Sequence, residues 1–296
     1  MRIVIAGSSG FLGRQLTDQV RTEGHEVVSL VRRAADGAEE SQWDPYTGRL
    51  DPDVVESADV VVNLAGTPTA GNPHSKKWAR ELMESRVSTT RVLAEAIAAS
   101  ARKPAFLAQN GIGFYGDHGS EVVTEASDSR GDTLLSRVTR AWQEAAGPAV
   151  AAGARVCVLR TAPILHKGEP PLQQLLLPFR LGLGARLGDG HQNFPVISLR
   201  DWLGAATFLA ASDTAAGAFN LCCPVTPTNA EFTDALAGAV GRTARLKAPA
   251  ALLRKAAGAM APELLGSVDA RPAALEDAGY EFRDRDIAAV LTSALR

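Results

Sequence analysis

The sequence predicts an α/β fold, a doubly wound parallel sheet with a smaller, mostly helical lobe toward the C-terminus. Three observations carry this expectation. Short apolar runs of strand length alternate with longer helical patterns as far as Arg160. The run 58–64 centres on three consecutive valines, as expected of a strand covered on both faces. A glycine-rich turn joins the first apolar run to the first helical pattern, and right-handed crossovers then place helices on both sides of the sheet.

Taken in order, Ile3–Ala6 reads as a strand and Phe11–Glu23 as a helix closed by Gly24. Glu26–Val31 is a second strand and Ala58–Leu64 a third. Lys76–Ala99 reads as a long helix, and Ala105–Ala108 as a strand ending in Gly111-Ile112-Gly113-Phe114-Tyr115-Gly116. Leu134–Ala152 is expected to be one helix and Arg155–Leu159 a strand. Residues 163–200 are rich in Pro, Gly and Leu and show no clean alternation. Asp201–Ala211 resumes as a helix and Ala218–Cys223 as a strand. Thr228-Asn229-Ala230-Glu231 is a capping box opening a further helix. The domain organisation expected is a core of 1–162 plus 201–223, a substrate lobe of 163–200 plus 224–283, and a C-terminal helix within 284–296.

Bulk properties exclude several classes. The 296 residues carry 31 basic and 33 acidic side chains, net charge −2, so no basic excess recommends nucleic acid or an anionic membrane. No run approaches the ~18 apolar residues of a membrane span, and the opening residues lack the pattern of a signal peptide. Cys157, Cys222 and Cys223 sit in apolar runs and suggest no disulfide framework, which points to a reducing, cytoplasmic setting. The five histidines show no metal-ligand spacing, so no metal is expected. Trp43 and Trp142 read as packing residues.

The first turn, Gly7-Ser8-Ser9-Gly10-Phe11-Leu12-Gly13, has the spacing G-x-x-G-x-x-G between a strand and a helix. Gly7 permits a sharp turn, Gly10 lets backbone approach a diphosphate, and Gly13 lets the helix pack close to the sheet. Free amides at the helix start then face the phosphates. This is the signature of a Rossmann dinucleotide site. The second strand ends in Val31-Arg32-Arg33, where an NAD site places an acidic residue. Two guanidinium groups suit a 2′-phosphate instead, so NADP(H) is the expected cofactor. Asn63-Leu64-Ala65-Gly66 supplies small residues beside the ribose and diphosphate. On the helix that follows, Glu81 and Arg86 read by default as a solvated face.

These residues resemble those of the extended short-chain dehydrogenase/reductases. More narrowly, the chain is similar to the branch called epimerase family proteins, regarded as NADP-dependent oxidoreductases. The matches span nearly the whole chain. They include Gly7–Gly13, Trp43-Asp44, Asn63–Gly66, Ser85-Arg86-Val87, Trp142, Arg160, Leu177–Gly184, Gly188–Gln192 and Asn229-Ala230-Glu231-Phe232. The resemblance implies a cofactor site built from the glycine loop with Ser9, Phe11 and Leu12. It adds Arg32, Leu64-Ala65, Glu81, Arg86, Gln109 and the turn at Pro163-Ile164, with 163–200 and the C-terminal lobe closing over a small-molecule substrate.

The departures bear on chemistry. Dehydrogenases of this superfamily use Ser, Tyr and Lys, the last two as Tyr-x-x-x-Lys, with the tyrosine exchanging a proton with substrate. No Tyr-x-x-x-Lys occurs here. The corresponding helix reads Leu135-Ser136-Arg137-Val138-Thr139, and the Ser position falls on Asn110-Gly111. The branch's Trp-Ile-His-Ile-x-Asp motif is replaced by Pro195-Val196-Ile197-Ser198-Leu199-Arg200-Asp201, so its histidine has no counterpart. Tyr115 and Asn110, beyond the strand 105–108, are the candidate groups for proton donation and carbonyl binding. Packing and turn capping are their rival roles. His118, His191 and Lys167 read as solvated loop residues. Three functions follow: an NADP(H)-dependent oxidoreductase without the usual triad, a non-catalytic NADP(H)-binding sensor, and a nucleotide-sugar epimerase resting on the resemblance alone.

Overall fold

The computed structural model describes residues 1–296. Strand β1 (Arg2–Ala6) runs into α1 (Phe11–Thr22), which buries Leu16 and Val20, and β2 (Glu26–Val31) follows. Two elements that apolar periodicity does not announce come next, β3 (Glu40–Gln42) and α2 (Pro52–Glu56). β3 is short, polar and at the sheet edge, where one face meets solvent and alternation is lost. The wholly buried β4 (Val60–Asn63) leads to α3 (Lys76–Ala99), which begins where the Ser75 hydroxyl accepts from the Trp78 N–H.

β5 (Ala105–Gly111) runs past its expected end at Ala108, and β6 (Val122–Val123) follows. The helix expected over 134–152 is two, α4 (Leu134–Glu144) and α5 (Gly147–Ala151). The break falls at Gly147-Pro148, because proline lacks an N–H and crowds the carbonyl four residues back. Then come β7 (Val156–Thr161), β8 (Ile164–Leu165), α6 (Leu172–Arg180), β9 (Ala185–Leu187), β10 (Ile197–Ser198), α7 (Leu199–Ala211) and β11 (Gly217–Leu221).

Helix α8 (Asn229–Ala239) carries the capping box read from the sequence. The Thr228 hydroxyl accepts from the Glu231 N–H while the Glu231 carboxylate accepts from the Thr228 N–H at 2.7 Å. β12 (Leu246–Ala248), α9 (Ala250–Ala257), α10 (Ala261–Leu265), β13 (Asp269–Ala270), α11 (Ala273–Asp277) and α12 (Ile287–Ala294) complete the chain.

Seven strands form one sheet in the order β11-β7-β5-β4-β1-β2-β3, every pair parallel. The winding reverses between β1 and β4, opening a crevice at their carboxyl ends. Side chains alternate across the sheet. Ile3, Ile5, Leu107 and Leu159 face α1 and α7 with Trp202, whereas Val4, Val61 and Phe106 face α3 with Leu93 and Ile97. A separate core of Leu165, Leu172, Phe179, Phe232, Leu236 and Val290 fills the lobe. Three parallel strand pairs, β8 with β10, β9 with β12 and β6 with β13, bring distant segments together. No helix is long and apolar enough to cross a membrane.

Candidate cofactor and substrate site

The glycine turn has the geometry its spacing requires. Gly7 adopts φ +84°, and a Cβ there would stand 2.7 Å from the Leu64 carbonyl carbon. A Cβ on Gly13 would lie 2.1 Å from the Gly7 oxygen, so neither position admits a side chain. Gly10 opens α1 without a capping side chain, which leaves the first helical amides without a side-chain partner, next to exposed Ser9. The loop after β4 closes the other wall. Asn63 is buried, its amide donating to Thr90 at 2.9 Å and its oxygen accepting from the Ala65 N–H at 3.1 Å, which fixes Leu64-Ala65-Gly66 against Gly7.

At the end of β2 the two arginines separate. Arg33 is held in an exposed ion pair. Its two terminal nitrogens donate to the two carboxylate oxygens of Glu40, on the unannounced β3, at 2.6 Å each. That pairing raises the Arg33 pKa and lowers that of Glu40. Arg32 is exposed beside Val31 with its nearest carboxylate influence from Asp44.

Arg86 is not the solvated group that helix position suggested. It donates to the Thr67 oxygen at 3.0 Å and to Thr69 Oγ1 at 3.2 Å, and lies 5.0 Å from the centre of the Trp142 ring. Burial without a carboxylate partner pulls its pKa down to about 10. It braces the 63–69 loop as an uncompensated positive charge. Glu81, by contrast, is exposed and pairs with Lys77 at 3.7 Å, so it faces solvent rather than the crevice. Gln109 projects from the end of β5 with its Oε1 buried and unpartnered. The turn at Pro163-Ile164 joins β8, and His166 just beyond it packs on Phe11, ring centres 5.1 Å apart, which brings this segment over the start of α1.

The two catalytic candidates are corrected. Tyr115 is fully buried; its hydroxyl donates to Asn220 Oδ1 at 2.7 Å and accepts from Arg160 at 2.9 Å. Burial pushes its pKa up to about 12. Asn110 is equally enclosed, its amide donating to the Thr139 carbonyl at 3.0 Å and its oxygen accepting from the Gly111 N–H at 2.7 Å. Both side chains spend their hydrogen bonds inside the protein, as the rival roles required. His118 is also buried rather than solvated, with Nε2 unpartnered, whereas His191 and Lys167 are exposed.

The cavities fall on opposite edges of the sheet. One of about 690 Å³, between α1, α7 and Tyr280, opens at the amino ends of β1 and β2. Parallel sheets bind ligands at their carboxyl ends; a smaller cavity of about 440 Å³ lies on that side, past the end of β5, although its lining does not include the glycine cradle. It is lined by Gly116, Asp117, Thr133, Arg254, Glu263 and Gly266 among others, where the turn after β5 meets α9 and α10. Glu263 is the functional candidate that sequence reasoning missed. It accepts from the Thr133 hydroxyl at 2.6 Å, and burial raises its pKa.

Comparison with known proteins places this architecture. A family model described as "NAD dependent epimerase/dehydratase family" matches residues 3–137, and one described as a domain of unknown function matches 248–294. Epimerase family protein MT2273 of Mycobacterium tuberculosis is 39% identical over 290 residues, covering 98% of this chain and 96% of the relative. The chain belongs to the epimerase family. Two solved structures align with this epimerase-family chain throughout. The crystal structure of human epimerase family protein SDR39U1 with NADPH superposes with a TM-score of 0.86 at 29% identity, covering 99% of both chains. The nucleoside-diphosphate sugar epimerase from Corynebacterium glutamicum gives 0.81 at 34% identity, covering all of this chain and 58% of that one.

Within the epimerase-family chain, the cradle fits a dinucleotide. A Cβ is excluded at Gly7 and Gly13, the Gln109 oxygen is an orphaned acceptor, and the Arg86 charge has no carboxylate partner. Glu263 lies in the segment matched by the domain of unknown function. Only its position before a Gly266-Ser267 turn hints at it in the sequence, since its partner Thr133 is 130 residues away.

Proposed function

We propose that this epimerase-family chain is an NADP(H)-dependent oxidoreductase whose substrate is a small carbonyl compound. The observation that carries the reading is the crevice at the β1–β4 switch point. Backbone of residues 7–13 would hold the diphosphate, and the exposed guanidinium of Arg32, at the end of β2, would grip a 2′-phosphate. The NADPH in the human relative supports the same cofactor. When bound, the reduced nicotinamide supplies a hydride with its electron pair. The core of 1–162 plus 201–223 orients it, while 163–200 and 224–283 cover the substrate and exclude water. The partner is then a small molecule rather than nucleic acid or a membrane, and buried, reduced thiols suit a cytoplasmic setting.

Calorimetry with NADPH and NADH, followed by NADPH absorbance across a panel of carbonyls and enones, tests this reading. Tight NADPH binding with turnover of at least one class supports it; no heat from either dinucleotide removes it. A second reading, a non-catalytic NADP(H) sensor, is favoured by the enclosure of Tyr115 and Asn110. It expects binding without turnover and a partner that distinguishes NADPH from NADP+. The epimerase reading lacks the Tyr and Lys that such chemistry employs.

A further inference from the structure

We propose that Glu263 is the proton donor of this site, a carboxyl delivered by the C-terminal lobe to the helix start where the superfamily carries its tyrosine. The proposal rests on the oxidoreductase reading and names its missing acid.

Two observations place the group. Thr133 Oγ1, at the start of α4, donates to Glu263 Oε1 at 2.6 Å. The other oxygen, Oε2, lies 3.7 Å from where a Cβ of Gly113 would stand, facing the carboxyl end of β5. One oxygen is therefore held by Thr133, the other lies near Gly113, and Glu263 itself lines the 440 Å³ cavity. Gly113 admits no larger residue without pressing on Leu135, whose Cβ would be 3.0 Å away.

The surroundings favour the protonated form of this carboxyl. No cation pairs with it. The charged groups of the cavity are Asp117, turned to the Gly119 and Ser267 amides, and Arg254 on α9, at the exposed rim. On the α4 side, Asp132 is engaged by Arg137 and Arg140. Burial raises the Glu263 pKa against the opposing pull of Thr133 and Leu135. A carboxyl whose pKa is raised suits proton donation better than an ordinary one.

In the step proposed, the carbonyl carbon gains a C–H bond from the hydride and its π bond opens. The Glu263 O–H bond breaks, and its proton forms the new O–H bond on the substrate oxygen. Alcohol and carboxylate remain, the nicotinamide is oxidised, and water returns a proton to Glu263.

Glu263→Gln tests this, because its amide oxygen still accepts from Thr133. The first readout is thermal stability of the apoprotein against pH. A raised folded pKa gives stability that is fully present below the ordinary Glu value of 4.5 and lost as pH rises through the folded value. Wild type should therefore lose Tm relative to Glu263→Gln as the pH rises above 4.5. The second readout is turnover of a carbonyl identified by the panel. Glu263→Gln should lose about 100-fold in kcat with NADPH affinity unchanged, and Glu263→Asp should recover part of it. Parallel stability curves, or kcat retained by Glu263→Gln, overturn the proton-donor role alone. A panel with no turnover by wild type overturns the oxidoreductase reading and this role with it.

Discussion

The two terminal nitrogens of Arg33 rest on the two oxygens of Glu40 at 2.6 Å each, while its neighbour Arg32 makes no hydrogen bond within the chain. Sequence adjacency made these arginines equivalent, and the edge strand β3 makes them different. Arg32→Ala should weaken NADPH by about 10-fold or more, the scale of one charge-assisted hydrogen bond, and leave NADH nearly unchanged. Arg33→Ala should cost less. Calorimetry with both cofactors decides, and equal losses of NADPH and NADH in Arg32→Ala would contradict the 2′-phosphate assignment.

Gly13 tolerates no side chain, because a Cβ would meet the Gly7 oxygen at 2.1 Å. Gly13→Ala must push α1 away from the turn and so disturb the diphosphate cradle. Its expected cost is about 1–3 kcal/mol of stability, read by urea denaturation, together with loss of measurable NADPH binding. Wild-type cofactor affinity in this variant would show that the cradle does not hold the dinucleotide.

Tyr115→Phe should separate structure from chemistry at the buried network. Removing the hydroxyl leaves Asn220 Oδ1 and an Arg160 N–H without their partner, and a buried group so stranded costs about 1–3 kcal/mol. The variant should lose that much in denaturant unfolding yet keep NADPH affinity and turnover. A collapse of kcat at preserved stability would return Tyr115 to the reacting centre.

The three thiols are buried. Burial raises Cys157 to about 11 and Cys223 to about 12, and Cys222 is pushed upward too. Thiolate is the reactive form, so the native protein at pH 8 should resist iodoacetamide at all three positions. In urea all three should alkylate, and intact mass before and after denaturation checks this. Rapid native labelling of Cys222 or Cys223 would mean that β11 opens readily.

Legibility in the sequence followed the range of the interactions. Helix Lys76–Ala99 and strand Glu26–Val31 were predicted to the residue, because caps and apolar periodicity are local signals. The Thr228–Glu231 capping box formed for the same reason. β3 went unseen because its polar residues gain strand geometry only from pairing with β2. The 163–200 segment gave no pattern because its strands are only two or three residues long, β8 and β10 pairing across the length of the segment and β9 with β12 far along the chain.

By itself the amino-acid sequence determined the parallel sheet, the glycine turn between β1 and α1, and the basic end of β2. Each depends on residues within a few positions of one another, whose sterics and charge act along the chain. Tertiary structure alone decided that Arg33 is spent on Glu40, that Tyr115 and Asn110 face inward, and that Glu263 reaches Thr133 across the fold. Hydrogen bonding and desolvation depend on what surrounds a group in space, and separation along the chain carries no record of that.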